Sequence, residues 1–136
     1  MLQITKDMLT GIEKIDGQHQ ELIDRINIVI NMGEDGRSKG ETDKTLDFLA
    51  EYAVMHFRTE EGLMAECEYP AYSIHENQHA SFVEKYLQFK EKIDKFGFSH
   101  EIASELNAFL LNWTIHHVTN SDVVFGRYYT ATMETQ

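Results

Sequence analysis

Apolar residues recur at every third or fourth position through most of this chain, which is the period of an amphipathic helix. The first such stretch begins at about Asp16 and ends in the polar, glycine-rich loop 33–40. The second begins at about Thr42 and ends before Tyr69 and Pro70, because a proline disfavours helix in the residue that precedes it. The pattern therefore predicts two long helices in the first half of the chain.

Two more amphipathic stretches follow Pro70. In the first of them Ser73 is the expected N-cap, since its hydroxyl suits a free amide of the first turn, and Gly97 is the expected end. Ser99 is the expected N-cap of the last stretch, which runs at least to His117. The pattern thus predicts four successive helices and requires no strand.

Four helices of about 18 to 25 residues, with two short connections and one longer one, predict an all-α fold: an up-down-up-down antiparallel four-helix bundle. The chain has 136 residues and is 42% apolar, so we expect it to bury one core as a single domain over residues 1–136. Residues 1–15 carry apolar side chains without a clear helical period. They are predicted to form an N-terminal arm lying on a bundle that extends from about residue 16 to residue 136.

Net charge and cysteine content indicate which binding partners and which cellular compartment suit this chain. A net charge of −11 disfavours binding to nucleic acid and to anionic membranes, since both need clustered positive charge. The single cysteine, Cys67, excludes an internal disulfide framework and suits a reducing compartment. The first residues lack the features of a secretory signal, and no stretch approaches the roughly 20 apolar residues that cross a bilayer. We therefore expect a soluble, cytoplasmic protein without nucleic-acid or membrane partners.

Histidine and acidic side chains interrupt the apolar faces of all four predicted helices. Two pairs of them lie four residues apart, a spacing that places both side chains on one face of a helix. The last pair lies five apart, which rotates the second side chain by roughly 140° on a regular helix, so the helix must distort or end there. The candidate metal ligands are His19, His56, Glu60, His75, His79, His117 and Asp122.

These five histidines and two carboxylates are enough ligands for two metal ions. Burying them without a cation would leave unpaired charge, which costs several kcal/mol per ion. Imidazole and carboxylate together suit iron, zinc or manganese better than a soft metal ion. Two divalent ions with a bridging hydroxide nearly balance the charge, and the count of ligands leaves one coordination position open. A small diatomic molecule fits such a position.

Other histidines and the aromatic residues are expected to have structural roles. His100 and His116 fall off the apolar faces and are predicted to lie at the surface. Aromatic residues on the inward faces are predicted to pack the core around the site rather than to bind a cofactor. They are Phe48, Tyr52, Phe57, Phe82, Phe109 and Trp113.

The segments around the candidate ligands form specific local motifs. They are Gly11-Ile12-Glu13-Lys14-Ile15-Asp16-Gly17-Gln18-His19, His56-Phe57-Arg58-Thr59-Glu60-Glu61-Gly62-Leu63-Met64, Tyr69-Pro70 followed by His75-Glu76-Asn77-Gln78-His79, and Trp113 four before His117 with Asp122 five after it. Together, over nearly the whole chain, these motifs resemble those of the bacterial hemerythrins, which are non-haem di-iron oxygen-binding four-helix bundles.

The resemblance implies a ligand set divided between two irons: His75, His79 and His117 for one, His19 and His56 for the other, and Glu60 and Asp122 as bridges together with a hydroxide or oxide. The iron with two histidines is the open one. Such a protein binds O2 reversibly, for oxygen carriage, storage or sensing, and is not an enzyme. We expect no fused output domain, so sensing would depend on a separate, unidentified partner protein.

Two positions depart from the pattern of the resembling family. Thr114, three residues before His117, stands where the family usually places a leucine that lines the O2 pocket. A hydroxyl there makes the pocket more polar, and we expect it to favour entry of water or protons and release of an oxidised product. Ile4 stands at about the position where many relatives carry a tryptophan, and we expect that change to alter packing alone.

Other interpretations use the same residues. The segment 75–79 also fits the zinc metalloprotease motif, with Glu76 as general base, although no glycine and third histidine follow at the extended spacing. A ferritin-like di-iron oxidase needs more Glu-x-x-His pairs than Glu76-x-x-His79 alone. A di-iron redox protein, or one that handles nitric oxide or peroxide, would use the same seven ligands as an oxygen-binding protein.

Overall fold

The computed structural model describes residues 2–32 and 38–134 of the chain. Its helices are a short 3-10 helix (Lys6–Met8), α1 (Glu13–Met32), α2 (Lys39–Glu66), α3 (Tyr72–Phe96), α4 (His100–His116) and α5 (Val123–Glu134). A π-helical turn, His117–Asp122, joins α4 to α5, so that the two form one continuous helical segment. No strand occurs in these ranges. The predicted all-α four-helix bundle is confirmed, with the α4–α5 segment as its fourth member.

The bundle closes into a ring, because each helix packs on the next and α1 also packs on α4. Two clusters of buried apolar side chains fill its interior, a larger one that includes Leu46 and Leu106 and a smaller one that includes Met64 and Phe125. On α2, α3 and the α4–α5 segment, the candidate ligands lie between residues of the larger cluster and residues of the smaller one. The site is thus enclosed by core on both sides.

No helix in the described part of the chain combines the length and the apolarity that a membrane crossing requires.

Local signals set most of the helix ends. Ser99 caps α4 as predicted, since its hydroxyl accepts a hydrogen bond from an amide of the first turn at 3.2 Å. Gly97 ends α3 as predicted, with a positive φ of 84° that suits glycine. The prediction for Ser73 was wrong: α3 begins at Tyr72 after Ala71, so Ser73 lies inside the first turn. The turn that follows α2 already starts the helical hydrogen bonding there.

Two helices begin a few residues earlier than the apolar pattern predicts. α1 begins at Glu13, and α2 begins at Lys39 because the hydroxyl of Ser38 accepts a hydrogen bond from an amide of the first turn at 3.2 Å. Of the predicted loop 33–40, residues 33–37 lie outside the described residues, and the last two residues are helical.

The N-terminal arm is held at both of its ends. The amide of Leu2 donates to the side chain of Asn27 at 2.9 Å, and the Asn27 amide group donates back to the Leu2 carbonyl at 2.8 Å. At the other end, the carboxylate of Asp16 accepts hydrogen bonds from the amide and the hydroxyl of Thr10, each at 2.8 Å. Ile4, between them, packs against the larger core cluster. These contacts fix the arm against α1.

All but one of the aromatic residues predicted to lie inward pack in or against the larger core cluster. Those that contact the larger core cluster are Tyr52, Phe57, Phe82, Phe109 and Trp113. The prediction for Phe48 was wrong, since its side chain is 43% exposed. The guanidinium of Arg25 lies 3.7 Å from the centre of the Phe48 ring and donates to the Phe48 carbonyl at 2.8 Å. Phe48 therefore belongs to the surface contact between α1 and α2 and does not line the core.

Candidate metal centre

Seven buried side chains meet in the middle of the bundle, and they are the seven that the sequence predicts. They are His19 on α1, His56 and Glu60 on α2, His75 and His79 on α3, and His117 and Asp122 at the two ends of the π-helical turn. We call His75, His79 and His117 the three-histidine group, and His19 and His56 the two-histidine group. Each group, taken with Glu60 and Asp122, has ligand atoms that lie within 4.8 Å of one another.

The π-helical turn explains how His117 and Asp122 reach the same site. On a regular α-helix, residues five apart point in different directions. A π-helix has a wider turn with hydrogen bonds between residues five apart, so the fifth residue returns close to the same face. Here Nε2 of His117 lies 3.1 Å from Oδ1 of Asp122. The distortion that the sequence requires after His117 is thus present, and both side chains face the core.

The carboxylate of Glu60 divides its two oxygens between the two histidine groups. Its Oε2 faces the two-histidine group, at 3.4 Å from His19 and 3.3 Å from His56. Its Oε1 faces the three-histidine group, at 3.4 Å from His75 and 3.1 Å from His79. Glu60 thus presents one oxygen to each histidine group.

Asp122 repeats this division from the opposite helix. Its Oδ2 lies 3.0 Å from Nε2 of His19, whereas its Oδ1 lies 2.9 Å from Nε2 of His75 and 3.1 Å from Nε2 of His117. Both carboxylates are therefore shared, and the two halves of the site differ in the number of imidazoles that each supplies. One half has three, and the other has two.

Seven polar atoms of the site lack partners of hydrogen-bond geometry although they lie close to other polar atoms. Both oxygens of Glu60 and of Asp122, both ring nitrogens of His19 and Nε2 of His75 are buried without a partner of hydrogen-bond geometry among the described residues. Native proteins seldom leave buried polar atoms in this condition. Buried oxygen and nitrogen atoms that converge without well-formed hydrogen bonds are typical of a cation site, and the imidazole and carboxylate donors fit divalent iron, zinc or manganese.

The histidine pKa values in the metal-free protein follow from the shared carboxylates. Burial lowers the pKa of His19, but the contacts and charges of Asp122 and Glu60 together outweigh it and raise that pKa to about 10. The same balance raises the pKa of His75 to about 9. For His117, burial prevails over the carboxylates and lowers the pKa. Two protonated imidazoles thus neutralise two carboxylates when metal is absent.

The two carboxyl groups of the site have lowered pKa values. Burial raises the pKa of Glu60, but the neighbouring imidazoles, His56 foremost, lower it well below the usual value. Burial and the charge of Glu60 raise the pKa of Asp122, yet its contacts with His117 and His19 lower the pKa overall. Both carboxylates are ionised at neutral pH and are ready to bind a cation without losing a proton.

Metal loading should therefore release protons. At about pH 7.5 the imidazoles of His19 and His75 are protonated, and a metal ion binds only the neutral ring, so we expect about two protons per chain, and one more if a bridging water is deprotonated. An indicator dye in weakly buffered solution measures the release during titration with metal. The count should fall by about one in the variant His75→Gln. Loading without any release would contradict the protonated pairs.

Two histidines are oriented from outside the cluster by residues that the sequence analysis did not identify. Nδ1 of His56 contacts Oε1 of Gln18 at 2.8 Å, and Nδ1 of His79 contacts Oε2 of Glu61 at 2.7 Å. Each partner is on a different helix from the histidine that it contacts. The sequence marks these two residues only by adjacency, since Gln18 precedes the candidate ligand His19 and Glu61 follows the candidate ligand Glu60. Such contacts set the tautomer and the direction of a metal-binding ring.

Aromatic rings cover the three-histidine group. Phe57 stacks on His79 with ring centres 4.1 Å apart, and Trp113 stacks on His117 with ring centres 4.3 Å apart. Both stacked pairs are nearly parallel, at 11° and 15°. These rings keep the imidazoles from rotating and exclude water from their faces.

The remaining predicted residues lie where the sequence places them. Thr114 is buried on α4, one turn before His117, and its part in an O2 pocket stays a prediction. His100 and His116 are exposed, as predicted. Glu76 is also exposed, and its carboxylate accepts a hydrogen bond from the Tyr72 hydroxyl at 3.3 Å. It does not enter the buried cluster, which argues against its use as the general base of a zinc metalloprotease.

Comparison with known proteins agrees with the architecture of the site. The family model described as the hemerythrin HHE cation binding domain matches residues 10–128. The chain is similar to a bacteriohemerythrin of Pseudomonas paraeruginosa (strain DSM 24068 / PA7), with 27% identity over 116 residues that cover 85% of this chain and 73% of that protein. It is similar to a bacteriohemerythrin of Clostridium acetobutylicum, with 30% identity over 115 residues that cover 82% of this chain and 88% of that protein.

A solved structure supports the fold independently of these sequence relatives. The crystal structure of a wild-type hemerythrin superposes with a TM-score of 0.83, over 96% of this chain and 98% of that chain, at 23% sequence identity. At that level of identity the likeness concerns the fold.

Proposed function

This chain belongs to the hemerythrin family, and we propose that its buried site holds two iron ions and binds O2 reversibly, as an oxygen carrier, store or sensor. The family match and the buried cluster show a site able to bind metal. Iron as the metal, two ions per chain and O2 as the ligand are the proposed steps. In this proposal the protein binds its ligand and is not an enzyme.

The unequal division of ligands is the observation that carries the proposal. The three-histidine group and the two-histidine group share the same two carboxylates, each of which directs one oxygen to each side. An ion on the side of His19 and His56 would therefore have one protein ligand fewer than its neighbour. The position left open on that side suits a small external ligand such as O2.

The surroundings of the site favour reversible binding. An iron pair, when bound, supplies the two electrons that O2 takes up and receives them back when O2 leaves. The residues of this chain exclude water, since the side chains of His19, His56, Glu60 and Asp122 are each 1% exposed or less. A ligand set rich in imidazole and poor in carboxylate suits such reversible transfer better than formation of a strong oxidant, which separates this site from that of a ferritin-like oxidase.

An anaerobic titration of the reduced, iron-loaded protein with O2 tests the proposal. We expect one O2 per two irons, with a change in visible absorption that reverses when O2 is removed. Resonance Raman spectra should contain an O–O stretch that shifts with isotopically heavy O2. Protein made under iron-replete conditions that carries stoichiometric zinc and no iron, or that shows no reversible change, would refute the proposal.

Thr114 should set the lifetime of the oxygenated protein. Its hydroxyl is buried one turn before His117, and a polar group there favours water or protons close to the site. We expect Thr114→Leu to slow autoxidation by about fivefold, the rate equivalent of one hydrogen bond of about 1 kcal/mol. Thr114→Val, which removes the hydroxyl and keeps the shape, should act in the same direction. Stopped-flow decay as fast as in the parent in both variants would reject this role.

The buried hydroxyl of Thr114 also favours a second candidate function. If the O2 titration gives fast, irreversible oxidation in place of reversible binding, the same seven ligands would serve a di-iron redox protein that handles nitric oxide or peroxide. Titration of the reduced protein with nitric oxide and with peroxide distinguishes the two uses, since a protein of the second kind should be oxidised stoichiometrically by either reagent.

A further inference from the structure

We propose that Glu61 is the positioning residue of His79. Gln18 has the same place at His56 but is uncharged, so the two partners make the two halves of the centre electronically unequal. The iron held by the three-histidine group would then be the more easily oxidised of the two. This inference rests on the proposed iron pair. Its first part, the orientation of His79, applies to any bound metal.

The contact between Glu61 and His79 fixes which ring nitrogen carries the proton. A carboxylate oxygen only accepts, so Nδ1 of His79, 2.7 Å from Oε2 of Glu61, carries a hydrogen and donates it. Nε2 of the same ring then carries the lone pair. It faces the cluster, where it lies 3.1 Å from Oε1 of Glu60 and 3.1 Å from Nε2 of His117. The stacked ring of Phe57, with ring centres 4.1 Å apart, holds His79 in this orientation.

The corresponding contact on the other side is made by an amide. Oε1 of Gln18 lies 2.8 Å from Nδ1 of His56, so this ring also donates from Nδ1 and presents Nε2 to the cluster. The Nε2 group of Gln18 donates to the Thr59 hydroxyl at 3.4 Å, which keeps the amide oxygen toward His56. The tautomers of the two histidines are therefore the same, but one partner is negatively charged and the other is neutral.

This difference in charge should reach the metal through the imidazole rings. A carboxylate that accepts the Nδ1 hydrogen makes the ring a stronger electron donor, which stabilises the higher oxidation state of the ion that it binds. A neutral amide has a smaller effect. The Glu61 side chain is 21% exposed, so water weakens its influence without removing it. We therefore expect the three-histidine side to lose its electron first, while the two-histidine side keeps the open position.

Exchanging the partners tests the inference. In Glu61→Gln the first midpoint potential of the iron pair should become more positive. In Gln18→Glu the two midpoint potentials should move closer together. Zinc affinity, measured by competition with a chelator, should fall about 10- to 100-fold in Glu61→Gln, the usual effect of losing such a partner. In the diamagnetic zinc-loaded protein, the NMR signal of the Nδ1 hydrogen of His79 should move in Glu61→Gln and stay in place in Glu76→Gln.

Glu76→Gln is the matched control. Glu76 and Glu61 line the same surface cavity of about 190 Å³, but among the described residues Glu76 makes no hydrogen bond or ion pair with a candidate ligand histidine. This variant therefore removes one nearby negative charge and should change neither the potential nor the zinc affinity. Equal potentials and affinities in Glu61→Gln and Glu76→Gln would overturn the inference. A wild-type protein without an iron couple would instead refute the proposed function and the electronic inequality with it. Zinc affinity and NMR would then still decide the role of Glu61 in positioning His79.

Discussion

Glu60→Ala should abolish binding of the metal pair. Glu60 is one of the two residues shared by both halves of the site, with one oxygen directed to each. Its loss removes one ligand from both ions at once and leaves the protonated imidazoles of His19 and His75 facing one carboxylate. We expect iron content to fall from about two ions per chain to well below one. Metal analysis after loading under anaerobic conditions measures this directly.

The same substitution should also destabilise the metal-free protein. Removing one partner from a buried set of charges leaves the other uncompensated, which costs about 3 kcal/mol. Glu51→Ala is the control, because Glu51 is an exposed glutamate on the same helix. It should retain about two irons and nearly unchanged stability. Full iron content in Glu60→Ala would show that this carboxylate does not bridge the pair.

Gly126→Ala should cost about 3 kcal/mol of folding free energy, although it adds a single methyl group. A Cβ at position 126 would lie 2.2 Å from the carbonyl oxygen of Thr10 and 2.8 Å from its Cβ. Thr10 has little room to move, since the Asp16 carboxylate accepts from both its amide and its hydroxyl. The arm or α5 must shift. Iron affinity should fall as well, because Asp16 lies one turn before His19 on α1.

Gly62→Ala on α2 should have the opposite effect and stabilise the protein. A Cβ at Gly62 meets nothing within 4 Å, so alanine gains helix propensity without a clash. We expect this variant to be more stable by about 0.5–1 kcal/mol. Urea unfolding of the metal-free variants measures both changes. Equal stabilities of the two glycine variants would contradict the close contact between α5 and the arm.

The sequence predicts which seven side chains meet in the cluster because their signal is local. Residues four apart, such as His75 and His79, occupy one helix face by geometry alone, and the apolar pattern shows that this face is inward. Ser99 and Gly97 likewise act on the helix ends beside them. Asp122 is an intermediate case. Its spacing from His117 predicts a distortion, but that the distortion is a π-helical turn depends on the fold around it.

The contacts to the candidate ligands that the sequence does not predict join separate helices. Glu61 and Gln18 contact histidines that lie 18 and 38 residues away along the chain, and no spacing connects them. The helical position of Phe48 is compatible with the apolar stripe and therefore predicts a core residue. Its ring is covered instead by Arg25 from α1, a contact that exists only once the two helices are packed. The packing of one helix on another therefore determines these contacts and the exposure of Phe48, and local periodicity does not.

Anomalous diffraction from crystals of the iron-loaded protein, measured on both sides of the iron absorption edge, tests the central claim most directly. We expect two iron peaks inside the bundle, both between Glu60 and Asp122, with one beside the three-histidine group and the other beside His19 and His56. A single peak, a peak outside this space, or no iron peak in protein loaded with excess ferrous salt would contradict a shared di-iron site.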